Sequence, residues 1–275
     1  MNNRLGWVLP VPFLIFSAGI WIYSQTQNEV RAQMDRAQTY WRQAHYGQAV
    51  ESYRSIAENY PMSRYADEAL WEVATINYVN LYDIDQAGNY FLKLVTEYPL
   101  SPLAGDAYRK LAEIYEMELE EPALALEYLE HSLGVKVAPE ISQEAFYKMG
   151  NIHLKLNQFD AAFEKFQLLV EGKEVGHLAE QALVRMGTIC QIKNEHKKSI
   201  EYFELTLTQT RCSECNLTAR LGLVENFESL GDIGRAVATA RAIPDSEYSK
   251  DLKQRLLQRL NSKARYYTYA TSLVK

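Results

Sequence analysis

Glycine and proline are scarce in this chain, 13 and 8 among 275 residues. A sandwich or barrel needs a turn signal every 8–12 residues or so, which argues against a turn-rich β fold. Three cysteines are too few for a disulfide scaffold. An excess of positive charge is missing too. Lys and Arg number 29 against 35 Asp and Glu, for a net charge of −6 and a pI of about 5.5. That balance argues against wholesale binding of nucleic acid. There is no Gly-rich phosphate loop, no His-Glu-x-x-His run and no nucleophile elbow. The five histidines, His45, His131, His153, His177 and His196, show no ligand spacing. The chain is therefore expected not to be an enzyme, and to carry no cofactor and no metal. What it does hold is 47% apolar and 23% charged residues, with 19 tyrosines, the composition of a mostly helical globular body.

The longest apolar run is Leu5–Tyr23, nineteen residues without a charge. A spanning helix needs about 20 such residues. Trp7 stands near one end and Trp21 and Tyr23 near the other, where amphipathic rings favour an interface. The alternative is a signal peptide cleaved after Gly19, with Ser17 at the −3 position. The run continues through Ile20, Trp21 and Ile22, unlike the polar start of a mature chain. An uncleaved transmembrane anchor is expected. It gives a single-pass inner-membrane protein, with the body periplasmic by the simplest topology: a short head inside and the bulk translocated.

The remainder repeats. A small residue is followed four positions later by a bulkier or equal one at Ala49/Tyr53, Ala87/Phe91, Ala125/Leu129, Ala162/Phe166, Ser199/Phe203 and Ala236/Ala240. The small residues are 38, 38, 37, 37 and 37 apart, a period that means a solenoid or array. Each unit reads as two helices. The first carries an inward stripe, as in Trp71, Ala74 and Tyr78, or Phe146, Gly150 and His153, or Leu183, Gly187 and Cys190. A short polar turn precedes the second, as in Asn157-Gln158-Phe159-Asp160. Small residues let two helix backbones approach, and the bulky partner fills the gap beside them. On this reading Ala162 faces Gly150, and Cys190 is an inert core residue.

This pattern resembles the tetratricopeptide repeat over roughly residues 30–245. Two units end in Tyr60-Pro61-Met62-Ser63 and Tyr98-Pro99-Leu100-Ser101, each followed by spaced alanines, Ala66 and Ala69, then Ala104 and Ala107. That form is similar to the bacterial envelope tetratricopeptide proteins of the BamD, CpoB and YfgM kind. The chain departs from BamD by lacking a lipid-bearing cysteine near residue 20, and from CpoB by keeping an apparent anchor. The resemblance implies an all-α superhelical solenoid of about six helix-turn-helix repeats behind the anchor. The expected organisation is a head at 1–4, the anchor at 5–23, a linker at 24–28, the solenoid at 29–245, a capping helix at 246–265 and a tail at 266–275. It also implies a protein partner, belonging to an envelope or membrane complex, bound as a peptide or helix in the concave groove. By repeat alignment the groove residues are Glu72, Arg109, Glu113, Glu116, Tyr147, Asn151 and Lys155. A carboxylate clamp would need Lys and Asn on successive first helices. Asn151 and Lys155 occur with Tyr147, but Val184 and Thr188 follow in the next unit beside Arg185, so the full clamp is missing.

Cys212 and Cys215 stand at a junction between units and are expected to form a local disulfide; free thiols, or half of a metal or redox site, are the alternatives. Asn216 is expected to cap the helix that follows, and Asp83 and Asp85 to be solvated turn residues. Charge is uneven. Residues 111–135 hold seven glutamates and no Lys or Arg, whereas Lys250, Lys253, Arg255, Arg259, Lys263 and Arg265 crowd the last stretch. A different functional class follows from that asymmetry: a structural tethering or oligomerisation module using convex faces and the basic C-terminal helix. Tyr248, Leu252, Leu256 and Leu260 make the stripe by which that helix would cap the array.

Overall fold

A computed structural model describes residues 11–134, 139–172 and 176–273, all of it helix and connecting turn. The chain divides into two compact units, Met1–Val137 and Ala138–Lys275. Unit 1 contains α1 (Val11–Arg42), α2 (Tyr46–Asn59), α3 (Ala66–Ile76), α4 (Ile84–Glu97), α5 (Ala104–Met117) and α6 (Pro122–Gly134). A π-helical turn, Asn77–Leu81, prolongs α3. Unit 2 contains α7 (Pro139–Lys155), α8 (Phe159–Val170), α9 (His177–Ile192), α10 (His196–Gln209), α11 (Ser213–Ser229), α12 (Ile233–Arg241) and α13 (Lys250–Leu273). Within each unit, consecutive helices pack side by side as antiparallel pairs. Six pairs result, with α13 left over.

The six small/bulky pairs fall on the even-numbered helices α2 to α12, and every one of the twelve residues is buried. The glycines of the inward stripe explain the close packing. A Cβ on Gly150 would lie 2.6 Å from the Phe166 ring. Cβ atoms on Gly187 and on Gly222 would both come within 3.0 Å of the Phe203 ring, from α9 on one side and α11 on the other. Real side chains do not approach so closely, so only glycine lets these rings sit flat on the neighbouring backbone. The atoms nearest to Gly150 belong to Phe166, one turn beyond Ala162.

Each pair turns through a residue in the left-handed region: Ala44, Tyr82, Glu120, Asn157, Asn194 and Gly231, with φ between 54° and 76°. Their spacing, read from those numbers, is 38, 38, 37, 37 and 37, the same as that of the small residues five positions on. The turn after each second helix is built differently. In the two Tyr-Pro-x-Ser turns the serine hydroxyl donates back to the preceding first helix, Ser63 to Gln27 at 2.9 Å and Ser101 to Asp67 at 2.6 Å. Each serine Oγ also accepts the backbone N–H two residues on, at Tyr65 and Leu103. Tyr98 then donates its hydroxyl to the Pro61 carbonyl of the preceding turn at 2.9 Å. The motif therefore ties one repeat to the next.

The membrane anchor is overturned. No helix among the described residues is long and apolar enough to cross a membrane. The run's first residues, 5–10, and the head at 1–4 lie outside the described residues. From Val11 to Tyr23 only thirteen apolar or small residues remain, about 20 Å of helix against a hydrocarbon core of about 30 Å. Residues 24–28, expected as a linker, continue α1 without a break. Gln27 is buried against the turn at Ser63, and Val30 is fully buried in the core. Helix α1 is the first helix of the first repeat, and the single-pass inner-membrane location built on an anchor falls with it.

At the other end, α13 runs from Lys250 into the segment expected as a tail. Of the expected stripe, Leu256 and Leu260 make the contact and Leu252 does not. Leu260 is buried and Leu256 and Leu257 are partly so, while Leu252 is 47% exposed. Arg259 and Lys263 both pair with Glu228 of α11, and Lys253 with Asp245 and the Ile243 carbonyl. The asparagine expected to cap α11 does not. Asn216 lies inside the helix and takes the Thr210 hydroxyl at 3.3 Å, and Cys212 is the cap.

Candidate functional site

The expected groove residues divide between the units. Glu72, Arg109, Glu113 and Glu116 belong to unit 1, and Tyr147, Asn151 and Lys155 to unit 2. In unit 1, Glu72 borders a cavity of about 360 Å3 with Arg31, Asp35, Tyr53, Arg64 and Glu68. Burial, and then the Glu68 charge, push the Glu72 carboxyl above the usual carboxylate range. The Tyr53 phenol is pushed up to about 12 by burial and by Glu72 and Glu68. Glu113 is held from two sides: the Tyr78 hydroxyl donates to it at 3.0 Å and Lys110 at 2.9 Å. Tyr78 is likewise pushed up to about 12, by burial first and by that bond to Glu113. Arg109 pairs with Asp106 one turn earlier on α5. Glu116 is partly buried on the same helix.

In unit 2 the first helices α7, α9 and α11 line a cavity of about 190 Å3. Tyr147, Gln181, Val184, Arg185, Thr188 and Thr218 face it, with Glu214 and the two cysteines at one end. Repeat spacing explains the lining. Tyr147 and Val184 are 37 apart, as are Gln181 and Thr218, so one pair of equivalent positions joins α7 to α9 and another joins α9 to α11. Tyr147 is fixed against Phe166, ring centroids 5.8 Å apart. Asn151 is half-buried one turn further along α7, and Lys155 is exposed near its end. The pair of Gln181 and Thr218 was not among the expected residues. Its signal was available, one helical turn before the Tyr147 and Val184 positions.

Cys212 and Cys215 are bridged, with Cα atoms 5.1 Å apart. The Cys215 N–H reaches Cys212 Sγ at 3.1 Å, so the pair occupies the first turn of α11. Cys190 is free and buried, and burial pushes its thiol up. Asp83 caps α4 by accepting the Gln86 N–H at 3.1 Å. Among the described residues one group could hold a metal ion: His177, Glu180 and Cys212, with ligand atoms within 4.8 Å of one another.

The tetratricopeptide-repeat profile matches residues 144–171, which is the pair α7–α8. Five further pairs share its period, its buried small/bulky positions and its left-handed turn. This is a tetratricopeptide-repeat protein. Solved structures similar to this repeat protein include the C-terminal part of a TPR repeat-containing protein from Cytophaga hutchinsonii. That structure is 12% identical with a TM-score of 0.61, over 88% of this chain and 90% of that one. YrrB, described as a TPR protein with an unusual peptide-binding site, is 19% identical with a TM-score of 0.52, over 72% and 97%. Pseudomonas aeruginosa PilF is 14% identical with a TM-score of 0.51, over 86% and 99%. At these identities the likeness is one of fold. No curated protein matches the chain.

Proposed function

We propose that this tetratricopeptide-repeat protein is a protein–protein interaction scaffold, and that unit 2 takes an extended peptide across α7, α9 and α11. The observation that carries the reading is the cavity bordered by three successive first helices, with Tyr147 and Val184 supplying apolar contact and Gln181, Arg185, Thr188 and Thr218 supplying polar groups. An extended peptide offers backbone donors and acceptors at regular intervals, and a row of short polar side chains at repeat spacing meets them. Asn151 and Lys155 extend that row along α7, and Arg185 and Lys155 favour an acidic side chain or carboxylate in the bound segment. The peptide-binding site of YrrB is a property of that protein; it supports the reading by showing what a related fold does. In unit 1, Glu72, Arg109, Glu113 and Glu116 are proposed to line a partner-binding face, on which Tyr78 and Lys110 hold Glu113 and Asp106 holds Arg109.

Tethering through the basic C-terminal helix is the competing class. Two of its cations, Arg259 and Lys263, are engaged by Glu228, which leaves less charge for a partner and favours the groove. Partner capture by the full chain separates the two. Competition by short acidic peptides, and loss of capture in Arg185→Glu, are the expected results. Capture that ignores both, yet disappears when 250–273 is removed, would establish tethering instead.

A further inference from the structure

The geometry points to a redox-gated metal site at the start of α11, made of Cys212, Cys215, His177 and Glu180. Sequence spacing could not reveal it, because the two cysteines and the His-x-x-Glu pair are some 35 residues apart. The fold brings them together. His177 and Glu180 are three apart on α9, so they share one face, with His177 Nδ1 3.7 Å from Glu180 Oε2. One ligand atom from each of His177, Glu180 and Cys212 lies within 4.8 Å of the others. Cys215 Sγ is bonded to Cys212 Sγ, so reduction frees a second sulfur beside the cluster.

The surroundings suit ligation. The Arg211 backbone N–H donates to Glu180 Oε1 at 3.1 Å, which fixes the carboxylate. Gln181 stands 3.0 Å from His177 Nε2 through its side-chain amide; with that amide turned so that its oxygen accepts the Nε2–H, Nδ1 on the Glu180 side is left as the ligand atom. Such outer contacts orient metal ligands. Both sulfurs lie in the first turn of α11, where the helix N-terminus and the Cys215 N–H favour thiolate. Two thiolates, an imidazole and a carboxylate make a four-ligand set of the kind zinc takes tetrahedrally, and the sulfurs exclude magnesium and calcium.

In the bridged state the sulfurs are spent on each other and the site is closed. A dithiol reductant opens it. Two electrons cleave the S–S bond, both sulfurs gain a proton, and the dithiol leaves as its own disulfide. A divalent zinc ion then binds as the two thiols release their protons. Because Cys212 and Cys215 also border the unit 2 cavity, the oxidation state sets the chemistry of one end of that groove.

The test uses the full chain, either oxidised or reduced with an immobilised dithiol that is removed before metal is added. Co2+ is titrated first and Zn2+ afterwards. The reduced chain should take one equivalent of Co2+, with tetrahedral d–d bands and thiolate charge transfer that Zn2+ abolishes. The oxidised chain should take none. His177→Ala and Glu180→Gln should each weaken binding by at least about tenfold, since losing even an outer contact costs that much. Cys190→Ser should change nothing, and circular dichroism on Cys215→Ser checks that lost binding is not lost fold. The proposal is overturned if the reduced chain binds no stoichiometric metal, if the oxidised chain binds equally, or if both ligand variants bind as well as the parent.

Discussion

Asn226 donates its amide to the Ser199 hydroxyl at 2.8 Å, and neither residue has any exposed surface. Ser199 passes its own proton to the Gly187 carbonyl at 2.8 Å, and the Asn226 amide also reaches the Gly222 carbonyl. His196 completes the group at Asn226 Oδ1, 2.8 Å away. Three helices, α9, α10 and α11, are thereby joined by polar contacts inside an otherwise apolar core. Five repeats carry alanine at the Ser199 position; this one carries a hydroxyl because an amide faces it.

Asn226→Ala should therefore cost about 1–3 kcal/mol, because it takes the donor from the buried Ser199 oxygen and the partner from a His196 ring nitrogen. Ser199→Ala should cost less, since Asn226 keeps the Gly222 carbonyl. The double variant should cost less than the sum of the two, because the bond they share can be lost only once. Urea denaturation of all three variants reads this directly; strict additivity would show that the pair is not coupled.

Two glycines should respond to alanine with opposite signs. Gly222→Ala drives a methyl into the fully packed Phe203 ring and should destabilise by about 1–3 kcal/mol. Gly88 sits within α4 with open space where a Cβ would go. Gly88→Ala should stabilise by roughly 0.5–1 kcal/mol through helix propensity. Thermal melts that move the same way for both would contradict the packing described at α10 and α11.

The six left-handed turn positions supply a second opposed pair. Ala44 holds φ at 58° with a side chain, and Gly231 holds 76° without one. A Cβ in that region costs roughly 1–2 kcal/mol. Ala44→Gly should raise the melting temperature and Gly231→Ala lower it, each by the shift that such an energy produces. A stabilising Gly231→Ala would mean that this turn is not left-handed in solution.

Glu72 gives a pH signature. Burial and Glu68 raise its folded-state carboxyl above the unfolded value. A raised acid destabilises the fold once the pH passes above both values, and the penalty vanishes below the unfolded value of about 4.3. Glu72→Gln should therefore stabilise the chain at neutral pH, with the gain shrinking toward zero in acid. Denaturation midpoints of parent and variant across that range test the sign; a gain that grows as pH falls would reverse it.

The repeat register was legible from one column of small residues, because a helix-pair array must return to the same contact every period. That single column located the buried face of all six second helices. The Tyr-Pro-x-Ser signature was visible, but its work was not: the partners Gln27 and Asp67 are 36 and 34 residues away. Leu5–Tyr23 misled because hydropathy reads a run by itself, whereas Gln27 and Val30 draw the same helix into the first repeat. Asn216 misled in the same way, since capping is decided by where the helix starts, and Cys212 starts it. The proximity of His177 and Glu180 to Cys212 had no local signal at all.

The matched spacing of the turn and the small residue five places later has a consequence for how such a chain can change length. One residue added inside a helix would swing every later side chain on that helix by about 100°, taking the buried column out of the core. A whole repeat added or lost would leave every surviving position in phase. Gene-level edits to this protein are thus expected to be quantised. Fusions, grafts and truncations should be cut at Ala44, Tyr82, Glu120, Asn157, Asn194 or Gly231, where the reading frame of contacts starts afresh.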